Sequence, residues 1–220
     1  MTLRVTLISP ALSTALREAR FGAGPLDVLD SAGLRQAEAV RDAHPVAEQR
    51  ATADRVFASP SVRCRQTAEA LGLVAEPLAE LRTCAMGRWQ GKRLDEVGAA
   101  EPEAVAAWLT DPAAAPHGGE SLDALHGRIG RWLDALGTPG ALKPLGTDAR
   151  PGSARVLAVA EPDVVRALTV HAIGAPTRVF WRIDVRPLTV TELSGRDGRW
   201  NLRSGRPLQD PQGPQGPQGD

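Results

Sequence analysis

Tyrosine is missing from these 220 residues, lysine is confined to Lys92 and Lys143, and cysteine to Cys64 and Cys84. The two thiols have neither a CxxC spacing nor neighbouring histidines, so a zinc site and a disulfide framework are not indicated, and two buried free cysteines are expected. Net charge is lacking as well. The 26 basic residues are matched by 26 acidic ones, and no long-range field recommends a nucleic acid or an anionic membrane as partner. Because the basic charge is almost entirely arginine in a chain without tyrosine, it reads as compositional bias rather than selection for phosphate binding. No run approaches the roughly 20 apolar residues of a membrane helix. The apolar stretch from Val5 to Leu12 is short, has no basic region before it and is broken by Pro10, so the expected location is cytoplasmic.

What is present is a 42% apolar content, which suits one α/β domain with a sizeable core over residues 1–208. Leu3 to Ile8 is compact and β-branched, as in a buried central strand, and stops at Pro10. Leu34, Ala37 and Val40 predict a helix over 31–44, capped by Asp30 or Ser31. Arg55 to Ala58 reads as a strand leading through Ser59-Pro60 into a helix from Val62 to Leu71. Helical patterns return over 93–97, 102–109 and 121–136, where Leu122, Leu125, Ile129, Trp132 and Leu136 form one core stripe.

Residues 137–154, rich in glycine and proline without periodicity, predict a flexible surface loop. Val156 to Ala160 is the next strand and Val164 to Ile173 the next helix. Strands over 188–193 and 199–202 flank a turn at Gly195 to Gly198. Residues 209–220 end in PQGPQGPQGD; three triplets cannot sustain a collagen helix, and a disordered tail is expected. Alternating strands and helices imply a three-layer α/β/α sandwich with a mainly parallel central sheet and ligands outside the carboxyl ends of its strands.

ASPSVRCRQTAEAL from Ala58, HGGESL from His117 and VLAVAEPDVVRAL from Val156 resemble, in order and spacing, the histidine phosphatase superfamily with its phosphoglycerate-mutase-like fold. LDSAGLRQA from Leu29, GRWQG from Gly87 and the late FWRIDV and GRWNLR add to the likeness, which covers Leu3 to Leu208. The resemblance implies an Arg-His-Gly triplet at the first strand's tip, with a nucleophilic histidine. It also implies a second histidine after the strand equivalent to Val156–Ala160, two phosphate-binding arginines and a carboxylic acid for the leaving group. Laid on this chain, Ser9 stands at the first arginine, Pro10 at the nucleophile and Ala11 at the glycine. Arg63 matches the second arginine. Thr83 takes the place of the acid, with Gln90 in the usually acidic place after the tryptophan, and Glu161 and Pro162 stand at the second histidine and the glycine after it.

Pro10 has no nucleophilic atom, and the Ser9 hydroxyl is expected on the opposite face of the strand from residue 10. A carboxylate at 161 would repel a bound phosphate by about 4 kcal/mol per unit charge at ~4 Å and an effective dielectric near 20. Glu161 is therefore expected to pair with Arg63 in the vacated phosphate site. His117 heads a Gly-Gly turn in which Glu120 or Ser121 caps the following helix. His44 and His126 are expected to face solvent or to be satisfied by neighbours, and the five tryptophans to be scattered through the core. Arg17, Arg20 and Arg88 are candidates for the cleft mouth.

The functional expectation is a catalytically degenerate member of this fold acting as a ligand-binding or scaffold protein. A small molecule with charges of both signs suits the site better than a phosphate ester. No cofactor or metal is expected, and a homodimer is left open. The rivals are an enzyme with repurposed chemistry, Glu161 serving as acid or base and Arg63 as anion anchor, and a weak phosphatase or phosphomutase.

Overall fold

A computed structural model describes residues 2–22, 24, 27–137, 153–196 and 198–208, without the side chains of residues 44 and 45. The glycine- and proline-rich segment after residue 137 lies almost wholly outside the described residues, as do the tail from 209 and Asp197 in the expected turn.

Six strands form one sheet: β1 (Thr2–Ile8), β2 (Arg55–Ala58), β3 (Glu76–Pro77), β4 (Ser153–Val159), β5 (Thr189–Arg196) and β6 (Arg199–Pro207), in the order β3-β2-β4-β1-β5-β6. β3, β2, β4 and β1 run parallel, Val5 beside Val156 and Val56 beside Leu157, while β5 and β6 are antiparallel. Among the described residues the helices are α1 (Thr14–Arg17), α2 (Ser31–Ala39), α3 (His44–Thr52), α4 (Val62–Ala70), α5 (Leu94–Ala100), α6 (Pro102–Thr110), α7 (Leu122–Leu136) and α8 (Pro162–Ala172).

Side-chain alternation along the central strands builds two cores, because successive residues of a strand face opposite ways. Leu3, Val5 and Leu7 of β1 join Val156 and Ala158 of β4 under α7 and α8. Ile8, Leu157 and Val159 face the other layer, packed against Ala37, Val46, Cys64 and Ala68 of α2, α3 and α4. The second halves of β1 and β4, residues 5–8 and 156–159, are buried on both faces and are almost wholly apolar, while Arg4 and Arg155 mark their less buried first halves. On α7 the stripe Leu122, Leu125, Ile129, Leu133 and Leu136 is buried, and each such leucine or isoleucine contributes about 1.5–3 kcal/mol.

Some elements differ from the expectation. The helix predicted over 31–44 stops at Ala39, and Leu34 is exposed rather than core. A separate helix, α3, follows; among its described side chains only Val46 and Gln49 are buried, so its apolar pattern is too weak to announce it. α8 begins at Pro162, two residues earlier than predicted, because proline's fixed φ suits the first helical position. No described helix is long and apolar enough to cross a membrane.

Candidate functional site

The parallel strands end together at one rim, and the segments leaving them meet there. The Ser59 amide donates to the Val159 carbonyl, Ala160 N to Ile8 O, and Ala11 N to Thr67 Oγ1 of α4. Beyond this rim opens a cleft of about 710 Å³, within the 300–1,000 Å³ range of small-molecule sites.

Arg63 sits in the first turn of α4, and Glu161 directly precedes α8. Ser61 links them: its hydroxyl oxygen accepts from Cys64 N at 3.1 Å, capping α4, while its O–H donates to Glu161 Oε1 at 2.8 Å. Arg63 Nη2 lies 3.1 Å from Glu161 Oε2, and Nη1 lies 4.0 Å from Asp27 Oδ2. The contact to Glu161 is an ion pair by distance only; its angles do not make a hydrogen bond, and Arg63 Nε and Nη2 and Asp27 Oδ1 are buried without hydrogen-bond partners. Each such orphaned group costs about 1–3 kcal/mol. Burial raises the Glu161 carboxyl above its ordinary pKa, Arg63 pulls it down, and Asp163 and Asp27 push it up again.

Asp163, the second residue of α8, accepts from Thr83 Oγ1 at 2.7 Å, from Cys84 N at 2.6 Å and from its neighbour Val164 N at 2.8 Å. Thr83 thus lines the cleft as a donor to Asp163, a residue the sequence reading passed over.

Ser9 and Pro10 do not line the cleft, in contrast to the expectation. Both are buried. Ser9 Oγ lies 2.5 Å from Arg186 O, to which it donates, and accepts from Thr189 N at 3.0 Å, so the segment before β5 engages that hydroxyl on the far side of the strand. Arg63, Thr83, Glu161 and Pro162 all line the cleft.

Among the described residues no histidine lines the cleft. His117 is buried elsewhere, its Nδ1 accepting from Gly119 N at 3.0 Å and its ring 5.1 Å from that of Trp89; burial lowers its pKa. Ser121 caps α7. His126 is half-buried and contacts Thr177, while burial and His171 lower its pKa. Among the described residues no group of three or more His, Cys, Asp or Glu side chains is placed to hold a metal ion.

The tryptophans are not all scattered. Phe21, Trp89 and Trp108 meet at centroid distances of 5.4–5.9 Å, and Trp181 stacks edge-on against Trp108 at 4.6 Å and Phe180 at 4.9 Å. Phe21, Trp108, Phe180 and Trp181 form an aromatic wall of the cleft; their separation in sequence hides this, since three different segments supply them. Arg20, Arg65, Arg82 and Arg166 also line the cleft, whereas Arg17 pairs with Asp30 and Arg88 with Glu101. Arg166 donates from Nε to Ile183 O and lies over the Phe180 and Trp181 rings.

A sheet of this order with a cleft at the ends of its parallel strands defines the phosphoglycerate-mutase-like class of α/β proteins. The sequence profile of the histidine phosphatase superfamily (branch 1) matches residues 13–206, and the chain belongs to that superfamily. Glucosyl-3-phosphoglycerate phosphatase of Mycolicibacterium vanbaalenii is 32% identical over 165 residues, 70% of this chain and 67% of that protein. Among solved structures, Mycobacterial hydrolase 1 superposes with a TM-score of 0.75 at 25% identity, over 92% of this chain and 97% of its own. The alpha-ribazole phosphatase from Shigella flexneri gives a TM-score of 0.75 at 20% identity, over 93% and 96% of the two chains, a likeness of fold.

Proposed function

We propose that this chain is a non-hydrolytic member of its superfamily that binds a small molecule in the Arg63 cleft. The observation that carries this reading is the company Arg63 keeps: two carboxylates, Glu161 and Asp27, face it within 4.0 Å, and no histidine is among the described lining residues. In the motif alignment Pro10 takes the place of the nucleophile and Glu161 that of the second histidine. Phosphoryl transfer through a covalent intermediate needs an activated nucleophile and compensation of the developing negative charge. Proline offers no lone pair for phosphorus, and an ionised Glu161 opposes a phosphate dianion by several kcal/mol. The profile match supports the reading by starting at residue 13, downstream of Ser9, Pro10 and Ala11.

A second reading is favoured by the raised pKa of Glu161, a property suited to a general acid or base. Here Glu161 moves a proton and Arg63 anchors an anionic group of the substrate. The third reading transfers the activity named for the Mycolicibacterium vanbaalenii relative, a phosphatase of glucosyl-3-phosphoglycerate.

Release of inorganic phosphate from glucosyl-3-phosphoglycerate and a panel of phosphate monoesters separates the three. The proposal expects no release above a protein-free control. Turnover abolished by Glu161→Gln would establish the second reading, and turnover that survives this change the third.

A further inference from the structure

The floor of the cleft holds unsatisfied polar atoms of both kinds. The Arg63 side chain is only 5% exposed, yet its Nε and Nη2 lack acceptors; Asp27, facing it, is buried with Oδ1 lacking a donor. A second buried arginine–glutamate pair shows what a purely structural contact looks like in this chain. Arg128 donates from Nε and Nη2 to the two Glu120 oxygens at 2.9 and 2.6 Å, and its Nη1 donates to the Glu80 and Arg82 carbonyls. Every guanidinium nitrogen of Arg128 has an acceptor, and two of those of Arg63 have none.

Resting on the reading of the cleft as a binding site, we propose that its ligand is an α-amino acid, free or as the head of a larger apolar molecule. The carboxylate takes the free N–H groups of Arg63, and the ammonium lies against Asp27 and Glu161. Charge next to Arg63 agrees with this class: Asp27 and Glu161 both face the guanidinium within 4.0 Å, so its charge is already offset where a phosphate dianion would need it, whereas a zwitterion brings an ammonium for the carboxylates along with its carboxylate. Distance agrees: the Arg63 and Asp27 side chains approach to 4.0 Å, between Nη1 and Oδ2, so the orphaned Nε, Nη2 and Oδ1 belong to neighbouring groups that charges on adjacent carbons suit better than the separated termini of a peptide. Asp163 already accepts three hydrogen bonds, from Thr83, Cys84 and Val164, and so has less free acceptor capacity for the ammonium than Asp27. Above the floor, Phe21, Met86, Trp108 and Trp181 offer an apolar wall, and the cleft volume leaves room for an aromatic body.

Calorimetric titration of the full chain with L-tryptophan, L-phenylalanine, 3-phenylpropanoate and 2-phenylethylamine tests the proposal. The expected result is that L-phenylalanine binds at least about tenfold more tightly than the acid lacking the ammonium or the amine lacking the carboxylate. L-Tryptophan is expected to bind at least as well as L-phenylalanine. Asp27→Asn should cut amino-acid affinity about tenfold while strengthening that for 3-phenylpropanoate, since it removes a like charge from beside Arg63. Equal binding of the acid or the amine, or no heat with either amino acid, overturns the proposal even if the protein releases no phosphate from monoesters. Phosphate release would instead overturn the underlying reading of the cleft.

Discussion

Arg63 Nη2 stands 3.1 Å from Glu161 Oε2 at the start of two helices that follow neighbouring parallel strands, and that nitrogen makes no hydrogen bond. Arg128 and Glu120, joined by two well-directed hydrogen bonds, give the contrasting case. A buried pair stabilises only when geometry and remaining hydrogen bonds repay desolvation, and removing one partner of a satisfied pair costs about 3–5 kcal/mol.

The two pairs should therefore respond differently to mutation. Arg128→Met is expected to destabilise by about 3–5 kcal/mol. Arg63→Met is expected to cost less, because loss of two orphaned donors offsets part of the cost of leaving Glu161 and Asp27 buried without a cation. Urea unfolding of both variants checks the order; an Arg63→Met loss equal to or larger than that of Arg128→Met contradicts it.

Stability should fall with pH because of Glu161. Burial holds its folded-state pKa above the ordinary value of 4.5, so the native state binds the proton more tightly than the unfolded chain. The resulting stability is complete below pH 4.5 and is lost as pH rises through the folded-state pKa. Glu161→Gln cannot ionise. The stability of the variant relative to the wild type should accordingly grow as pH rises above 4.5 and then level off; a difference that shrinks with rising pH is the opposite of what burial requires.

Both cysteines should be silent in the folded protein. Burial, then Asp163 and Glu120, push the Cys84 thiol up to about 12, and burial with Glu161 raises Cys64 well above its usual value. The thiolate is the reactive form. Labelling with an aromatic disulfide at roughly pH 8 should proceed only after denaturation, and rapid labelling of native protein would show the sulfurs to be accessible and ionised.

Two glycines should give opposite outcomes. A Cβ at Gly119 would stand 1.8 Å from the Ala85 carbonyl oxygen, where the turn at residue 117 packs against the strip bearing Thr83 and Met86. Gly119→Ala is expected to cost at least about 3 kcal/mol, since backbone must move. Gly98 in α5 has nothing within 4 Å of such a Cβ, and Gly98→Ala should stabilise by about 1 kcal/mol. Thermal melts of the two variants read both signs.

Much of this architecture is legible in the sequence because the central strands carry short, mostly apolar stretches that stop at Pro10 and Ser59-Pro60. The facing of Arg63 and Glu161 follows from the segments they occupy after adjacent parallel strands. α3 is hidden because, among its described side chains, Val46 and Gln49 alone are buried. Asp27 and the aromatic wall are hidden for another reason: Phe21, Trp108 and Trp181 come from separate segments, and their meeting is a property of the folded chain. The motif places Ser9 at a phosphate-binding arginine's position, yet its hydroxyl is engaged by Arg186 and Thr189, in keeping with a side chain turned away from the face of residue 10.

The proposed loss of phosphoryl transfer is tested most directly by intact-protein mass spectrometry after incubation with acetyl phosphate. The expected result is an unchanged mass, because no described histidine reaches the Arg63 cleft. A near-stoichiometric, acid-labile phosphoryl adduct on a histidine would contradict it.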